Sequence, residues 1–117
     1  FKGDLSKEFY QMDEIENHSA QLSLSLDVIY HLVEDKVFES YMTQLFNCST
    51  SFVIIYASNE KDDGTFASHV KPRKFTDWVD ENQPNFELQE KIPNKYQFTE
   101  GDEESTSFAD FYIYKKK

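Results

Sequence analysis

The stretch Leu22–Leu32, LSLSLDVIYHL, decides the fold of this 117-residue chain. Leu22, Leu24 and Leu26 alternate with serines, and this period of two predicts a β-strand. The serines are small enough to be buried, so the strand is expected to lie centrally in a sheet. Ligands of open α/β sheets bind beyond the carboxyl ends of the strands. The polar residues that follow, beginning with Asp27, are therefore the first candidates for a site.

The residues after this stretch carry a helical pattern and then a second strand pattern. Glu34 and Asp35 are expected to open a helix, because carboxylates favour its positive end. Apolar residues at helical spacing extend that helix to Phe46. The continuous apolar run Phe52–Ala57 predicts a strand buried on both faces, as in a parallel sheet. A strand, a helix and another strand in this order predict parallel pairing through a right-handed crossover.

The remaining elements complete an α/β pattern. Lys7–Asp13 is expected to form a short strand ahead of the leucine-serine strand, and the last two strands are expected to form an antiparallel pair because no helix separates them. In chain order, the other predictions are a loop over Ser58–Val70, a helix that starts near Pro72 and stops at Asn82–Asn85, a half-exposed strand over Phe86–Ile92, an acidic turn over Glu100–Thr106 and a last strand over Ser107–Tyr114.

The composition fits a single globular domain over residues 1–117. Hydrophobic residues make up 38% and charged residues 29%, a balance too apolar for a disordered chain. Eleven Phe and seven Tyr predict a core rich in aromatic rings. The formal net charge of −10 repels phosphate backbones and anionic membranes, which argues against nucleic acid and lipid surfaces as partners. Solvated acidic surfaces that aid solubility are the simpler explanation of the same charge.

The single cysteine, Cys48, lies near the end of the first predicted helix. It cannot form an internal disulfide, so a reduced, cytoplasmic location is expected. No apolar run approaches the roughly 20 residues that a membrane helix needs, and no signal peptide pattern opens the chain. Because the chain opens with Phe1 rather than Met, we expect a processed chain or a fragment of a longer one.

Several segments together resemble a known family. From Phe9 to the end, the chain resembles the C-terminal half of a class I S-adenosylmethionine-dependent methyltransferase, of a small bacterial type with mostly unassigned substrates. The resemblance implies a partial Rossmann-like sheet made of strands 3 to 7 of the family order 3-2-1-4-5-7-6, ending in an antiparallel pair. The segments that carry it are LSLSLDVIYHLVED, FVIIYASN, HVKPRKFTDW, IPNKY and TSFADFYIYKK.

The family's glycine-rich cofactor loop has no counterpart in this chain. Gly3, Gly64 and Gly101 are its three glycines, and none forms a Gly-x-Gly pattern between a strand and a helix. The half that grips the cofactor is therefore expected to be missing. Three situations are expected to account for this: a fragment, a truncated gene product that pairs with another copy, or a complete small protein that uses the half-fold differently. An isolated half exposes a strand edge, so a homodimer or strand exchange through that edge is expected.

The resemblance places catalysis just beyond the leucine-serine strand. Asp27 corresponds to a position beside the transferred methyl group, and His31 offers a side chain suited to proton transfer. Tyr30 is assigned to the substrate as a ring wall or hydroxyl donor. The simpler alternatives are a turn or helix-capping carboxylate for Asp27, and packed residues at the strand-to-helix junction for Tyr30 and His31.

The same resemblance assigns three residues to the cofactor. Asp13 corresponds to an acidic residue near the adenine, and Ser25 and Leu26 lie on the strand that borders the cofactor's methionine part. The alternative for Asp13 is a surface aspartate in a turn.

Further substrate contacts are expected from two places. Tyr56, Ser58 and Asn59 close the second buried strand, where the strand-end rule applies again. His69 and Arg73 flank Lys71 in a basic cluster suited to an anionic substrate, or else to a solvated helix start. No His or Cys spacing suits a metal, and no hydrolase nucleophile motif or phosphate-binding loop is present.

The expected function is therefore transfer of a methyl group from S-adenosylmethionine to a small molecule by the parent protein. Positioning would supply most of the acceleration, with Asp27 or His31 taking the acceptor's proton. Weak or no cofactor binding is expected of these 117 residues alone. The alternative is a non-enzymatic acidic interaction module, whose contact face would be Glu100–Thr106.

Overall fold

The computed structural model describes residues 6–11, 14–15, 17–64 and 68–117. These residues form one four-stranded mixed sheet with two helices. The elements are β1 (Ala20–Leu26), α1 (Asp35–Asn47), β2 (Ser49–Ala57), α2 (Phe75–Asn82), β3 (Phe86–Ile92) and β4 (Asp110–Lys116), with a single 3₁₀ turn at Ile29–His31 between β1 and α1.

The strand order across the sheet is β1-β2-β4-β3. β1 and β2 are parallel, and β4 runs antiparallel to both β2 and β3. The α/β class, the parallel pair with its helical crossover and the antiparallel final pair are thereby confirmed. The last strand starts three residues later than predicted, at Asp110, and ends two residues later, at Lys116.

Two predictions about the N-terminal side of the sheet are wrong. The strand expected over Lys7–Asp13 does not form at residues 7–11, which carry no regular structure, and residues 12–13 lie outside the described part. β1 is therefore an edge strand in the described sheet, where a central one was expected. Periodicity revealed the strand but not its neighbours, because pairing is set by distant parts of the chain.

Both helices pack on one face of the sheet and form the core with it. Three aromatic rings meet there, because the Phe46 ring lies edge-on to both Phe86, at 5.0 Å between centroids, and Tyr114, at 5.5 Å. The largest side chains with less than 2% exposure include Tyr114, Phe46, Phe75, Ile29, Met42 and Ile55. The ring-rich core expected from the composition is confirmed.

The serines of β1 face this core, and the leucines face away from it. Ser25 Oγ lies 2.8 Å from the Tyr41 hydroxyl of α1, and Ser23 Oγ lies 3.2 Å from Cys48 Sγ. The expected burial of the serines is confirmed. The half-buried phenol of Tyr41 has a raised pKa, because burial disfavours its ionised form.

The second face of the sheet has no helix over it among the described residues. We call it the open face. Its effect is visible in β2, where Val53, Ile55 and Ala57 on the helix side are buried but Phe52 on the open face is 39% exposed. The prediction of a strand buried on both faces is therefore wrong. The apolar members of the open face are Leu22, Leu24, Leu26, Phe52, Ile54, Tyr56, Ile92, Phe111 and Ile113.

No helix in the described part of the chain is long and apolar enough to cross a membrane.

Candidate functional site

A cavity of about 350 Å³ opens beyond the carboxyl ends of β1 and β2. This is the place where open α/β sheets bind ligands. Three segments converge on it: the turn after β1, the connection from β2 to α2, and the long connection between β3 and β4. The lining residues are Asp27, Tyr30, Ser58, Glu60, Pro72, Phe98, Glu103, Thr106, Ser107, Phe108 and Ala109.

Asp27 holds an unusual backbone conformation at the mouth of this cavity. Its φ is +61°, and it is the only non-glycine among the described residues with a positive φ. The left-handed region costs most side chains about 1–2 kcal/mol, and aspartate tolerates it better than most. The Asp27 N–H donates to the Tyr56 carbonyl at 2.8 Å, which anchors the turn to the end of β2. Backbone strain of this kind clusters at functional sites.

Tyr30 forms a second wall and is held by its backbone. Its carbonyl accepts the Lys71 N–H at 2.9 Å, which brings the buried Pro72 under the cavity. His31 packs edge-on against the Tyr30 ring, with 5.7 Å between centroids, and it is exposed to solvent. His31 does not line the cavity. Of the two residues assigned to catalysis, the structure brings Asp27 alone to this site.

The third wall comes from the connection between β3 and β4, where the Phe98 and Phe108 rings stack at 3.9 Å between centroids. Sequence reasoning missed both residues, because it predicted no more than an acidic turn and a strand there. The residue that could have indicated this wall is Asn94, in the segment IPNKY. Its buried side chain organises the connection between β3 and β4.

The Asn94 side chain bonds to three backbone groups, of which two lie far along the chain. Its Nδ2 donates to the carbonyls of Ser107, at 2.9 Å, and Ala109, at 2.6 Å. Its Oδ1 accepts the Tyr96 N–H at 2.5 Å, while its own N–H donates to Asp110 Oδ1 at 2.9 Å. Buried polar side chains are stable only when paired in this way. Asn94 therefore closes the connection into a loop that presents the two stacked rings.

Asp110 ties the base of this loop to β3. Burial opposes ionisation of its carboxyl group, but the Asn94 N–H, the Gln97 amide and the Lys91 ammonium outweigh that effect. The net result is a lowered pKa for Asp110, so the loop base is held by a carboxylate at neutral pH.

The cavity carries negative charge and aromatic rings but no cationic side chain. Asp27, Glu60 and Glu103 are its charged lining residues, and Tyr30, Phe98 and Phe108 supply the rings. Carboxylates attract a positive group, and ring faces attract it as well. The arrangement suits a small cation with an apolar body and repels an anion.

The basic cluster predicted to hold an anion is engaged elsewhere. Arg73 donates to the carbonyls of Leu32 and Val33 and to Asp35, and its guanidinium lies 4.3 Å from the Phe38 ring centroid. Lys71 Nζ also contacts Asp35, at 2.8 Å.

These contacts join the segment before α2 to the start of α1. The Lys71 and Arg73 hydrogen bonds lower the pKa of Asp35. His69 is exposed and does not line the cavity. Lys71 and Arg73 therefore stabilise the fold. They are not the solvated bases of the simpler interpretation, because their side chains are only 29% and 11% exposed.

Two other predicted substrate contacts lie outside the cavity lining. Tyr56 is on the open face, where its ring packs 4.7 Å from that of Phe111. Asn59 bonds to Thr76 through its Nδ2, at 2.9 Å, and accepts the Thr76 N–H at 3.3 Å. The first turn of α2 is thus held by Asn59.

The residues assigned to the cofactor do not converge either. Ser25 is buried against Tyr41, while Leu26 points to the open face and is 53% exposed. Asp13 lies outside the described residues. Within the described ranges, no group of three or more His, Cys, Asp or Glu side chains is arranged to hold a metal ion.

Comparison with known proteins finds no match to this chain among family models, curated proteins or solved structures.

Proposed function

We propose that the cavity binds a small amine with an apolar body, as the methyl acceptor of an S-adenosylmethionine-dependent methyltransferase fold. One observation carries the ligand class: the charged lining residues of the cavity are three carboxylates, set among three aromatic rings. A protonated amine gains charge-assisted hydrogen bonds and ring contacts there. An anionic acceptor, which the basic cluster had suggested, has no counter-charge at this site.

The strand order supports the methyltransferase part of the proposal. The order β1-β2-β4-β3 corresponds to the 4-5-7-6 end of the sheet implied by the sequence resemblance. The cavity then lies beyond strands 4 and 5, on the acceptor side of such a fold.

The described residues do not fit the cofactor by themselves. Gly64 and Gly101 both have positive φ, but each lies in an exposed turn with open space around it, not between a strand and a helix. The two described residues assigned to the cofactor point in opposite directions. We therefore derive no step through the cofactor, and the proposal covers acceptor binding by this chain.

Asp27 has the leading role in binding the acceptor. Its carboxylate stands at the end of β1 on a turn fixed by the Tyr56 carbonyl, so it is pre-positioned to accept a hydrogen bond from an ammonium group. The same oxygen is suited to take the proton that an amine must lose before it acts as a nucleophile. Tyr30, Phe98 and Phe108 exclude water around the apolar body.

An NMR titration tests the binding step, with benzylamine as the probe and benzyl alcohol and benzoate as matched controls. We expect benzylamine to shift the resonances of Tyr30, Phe98 and Phe108, with benzyl alcohol weaker and benzoate without effect. Asp27→Asn, which keeps the shape of the side chain, should weaken benzylamine binding about tenfold. Equal binding of benzoate, or an unchanged affinity in Asp27→Asn, would refute the assignment.

Calorimetric titration with S-adenosylhomocysteine tests the cofactor side separately. Weak or no binding is expected, and micromolar binding by this chain would contradict our account of the missing glycine loop. The coding sequence upstream of Phe1 provides a further check, since the methyltransferase proposal requires a glycine-rich strand-helix unit from some source.

The alternative of an acidic interaction module stays a prediction. Glu100, Asp102, Glu103 and Glu104 are exposed in the loop before β4, as a contact face would require. Binding to a basic protein through them would weaken steeply with added salt.

A further inference from the structure

We propose that the open face of the sheet is the interface of a homodimer, in which two copies pack face to face. Six of its nine apolar residues are at least 37% exposed: Leu22, Leu24, Leu26, Phe52, Ile92 and Phe111. The other three, Ile54, Tyr56 and Ile113, are half-buried between them. This inference concerns a surface separate from the cavity and does not depend on the proposed function.

The strand registers make this surface continuous. Leu24 of β1 lies beside Ile54 of β2, which lies beside Ile113 of β4. One row further along, Leu26, Tyr56 and Phe111 are neighbours in the same way. Directly paired side chains on one face are about 5 Å apart, so the rows form a single apolar surface.

The area of the face matches what a dimer needs. Taking about 200 Å² for a fully exposed large apolar side chain, the six exposed residues present roughly 500 Å². That reaches the upper range of about 300–600 Å² for the largest apolar patch of a typical monomer. With the half-buried residues and a polar rim, it approaches the roughly 800 Å² that each partner buries in a standard interface.

The charge pattern favours a second copy over a basic or membrane partner. The chain carries a net charge of −10, yet the apolar rows of β1 and β2 on this face contain no charged residue. A basic protein would be drawn to the acidic surfaces elsewhere, and an anionic membrane would be repelled.

The charged residues of the open face lie on the β3–β4 side and include both signs. Glu87 and Lys115 are register partners, and Glu90 is the partner of Ile113. A face of this kind is complementary to itself, as a two-fold interface requires.

A face-to-face dimer of this chain would have the geometry of two stacked β-sheets. Stacked sheets pack about 10 Å apart with their strands within about 30° of one another. A parallel strand pair such as β1 and β2 is almost always covered on both faces, and here α1 and α2 cover one. This arrangement differs from the edge pairing expected from the sequence, because the interior strand β4 takes part.

Sedimentation equilibrium of the whole chain, from about 5 to 500 µM, tests the proposal. We expect a mass that rises with concentration to twice 13.8 kDa, with a Kd on the order of 1–100 µM. Because two copies of charge −10 repel each other, raising the salt from about 20 to 300 mM should tighten the dimer several-fold. A basic partner would show the opposite salt dependence.

Two substitutions locate the interface. Leu24→Glu buries two charges in the proposed dimer and should weaken it at least about 100-fold. Ile113→Lys should do the same, while Glu90 beside it offers the new lysine a partner that helps the monomer fold. Val37→Glu is the matched control, because Val37 is 46% exposed on α1, away from the open face, and the charge change is the same as in Leu24→Glu.

Each outcome decides the matter. A dimer lost in Leu24→Glu and Ile113→Lys but kept in Val37→Glu, with unchanged circular dichroism, supports the open face. A dimer that Ile113→Lys leaves intact overturns it in favour of edge pairing through β1. A chain that stays monomeric up to 500 µM also overturns the proposal. A monomeric chain that binds zwitterionic vesicles overturns it in favour of a membrane partner.

Discussion

Replacing Asn94 with alanine should release the loop that forms one wall of the cavity. Alanine removes two hydrogen bonds to the carbonyls of Ser107 and Ala109 and one from the Tyr96 N–H. Each is worth about 1 kcal/mol net, and Ala109 is 5% exposed, so its carbonyl is left without solvent access. The expected loss is about 3 kcal/mol. Asn94→Asp should be at least as harmful, because it sets a carboxylate oxygen against two carbonyls.

The loss should appear in local opening before it appears in global unfolding, because the loop is joined to the sheet mainly at its base. The Ser107 N–H, which donates to the Tyr96 carbonyl at 3.0 Å, is the natural reporter. Native-state hydrogen exchange should show its protection reduced about 100-fold, which is the equivalent of about 3 kcal/mol. The benzylamine-induced shifts at Phe98 and Phe108 should decrease in parallel.

Asn82→Ala is the matched control for this substitution. Asn82 is exposed at the end of α2 and makes a single side-chain bond, to the Trp78 carbonyl at 2.9 Å. It should leave the Ser107 amide unchanged and cost less than about 0.5 kcal/mol. A change below about threefold in the exchange of Ser107 upon Asn94→Ala would refute the assigned role of Asn94.

Three further predictions follow from other contacts. Arg73→Ala should lower the free energy of unfolding in urea by about 2–3 kcal/mol, because it leaves two carbonyls without their donor. Lys74→Ala should change that free energy by less than about 0.5 kcal/mol. Equal effects of the two substitutions would contradict the stabilising role of the Arg73 hydrogen bonds. Asp27→Val should cost about 1–2 kcal/mol and Asp27→Gly much less, since the φ of +61° strains a β-branched residue most, and a harmless valine would argue against that conformation. Because the folded-state pKa of Asp110 is lowered, its contribution is fully present above its ordinary pKa of 3.8 and is lost as the pH falls from there through the folded-state value. The difference in unfolding free energy between the wild type and Asp110→Asn should therefore be constant near neutral pH and shrink below pH 3.8. A difference that grows in acid would contradict a lowered pKa of Asp110 in the folded state.

The six helices and strands of the described chain and the edge of the sheet that carries the cavity follow from sequence patterns, although the strand expected over Lys7–Asp13 does not form at residues 7–11. The alternation in Leu22–Leu26 and the apolar run of β2 specified two strands, and the helical spacing between them specified the crossover. That crossover forces a parallel pair, so the strand-end rule alone pointed to Asp27 and Tyr30, which both line the cavity.

Which face of each strand is covered depends on how the helices pack in the folded chain. A period of two defines two faces but does not say which one meets a helix, so the buried serines and exposed leucines of β1 followed from where α1 packs. The partners of Arg73 and Asn94 were likewise invisible in the sequence. Apart from the local contact between Asn94 and Tyr96, their side-chain hydrogen bonds span 13 to 41 residues, and a contact at that range depends on how the whole chain folds. For the same reason, the open face could not be predicted from the sequence, because its apolar residues become neighbours only when all four strands pair in register.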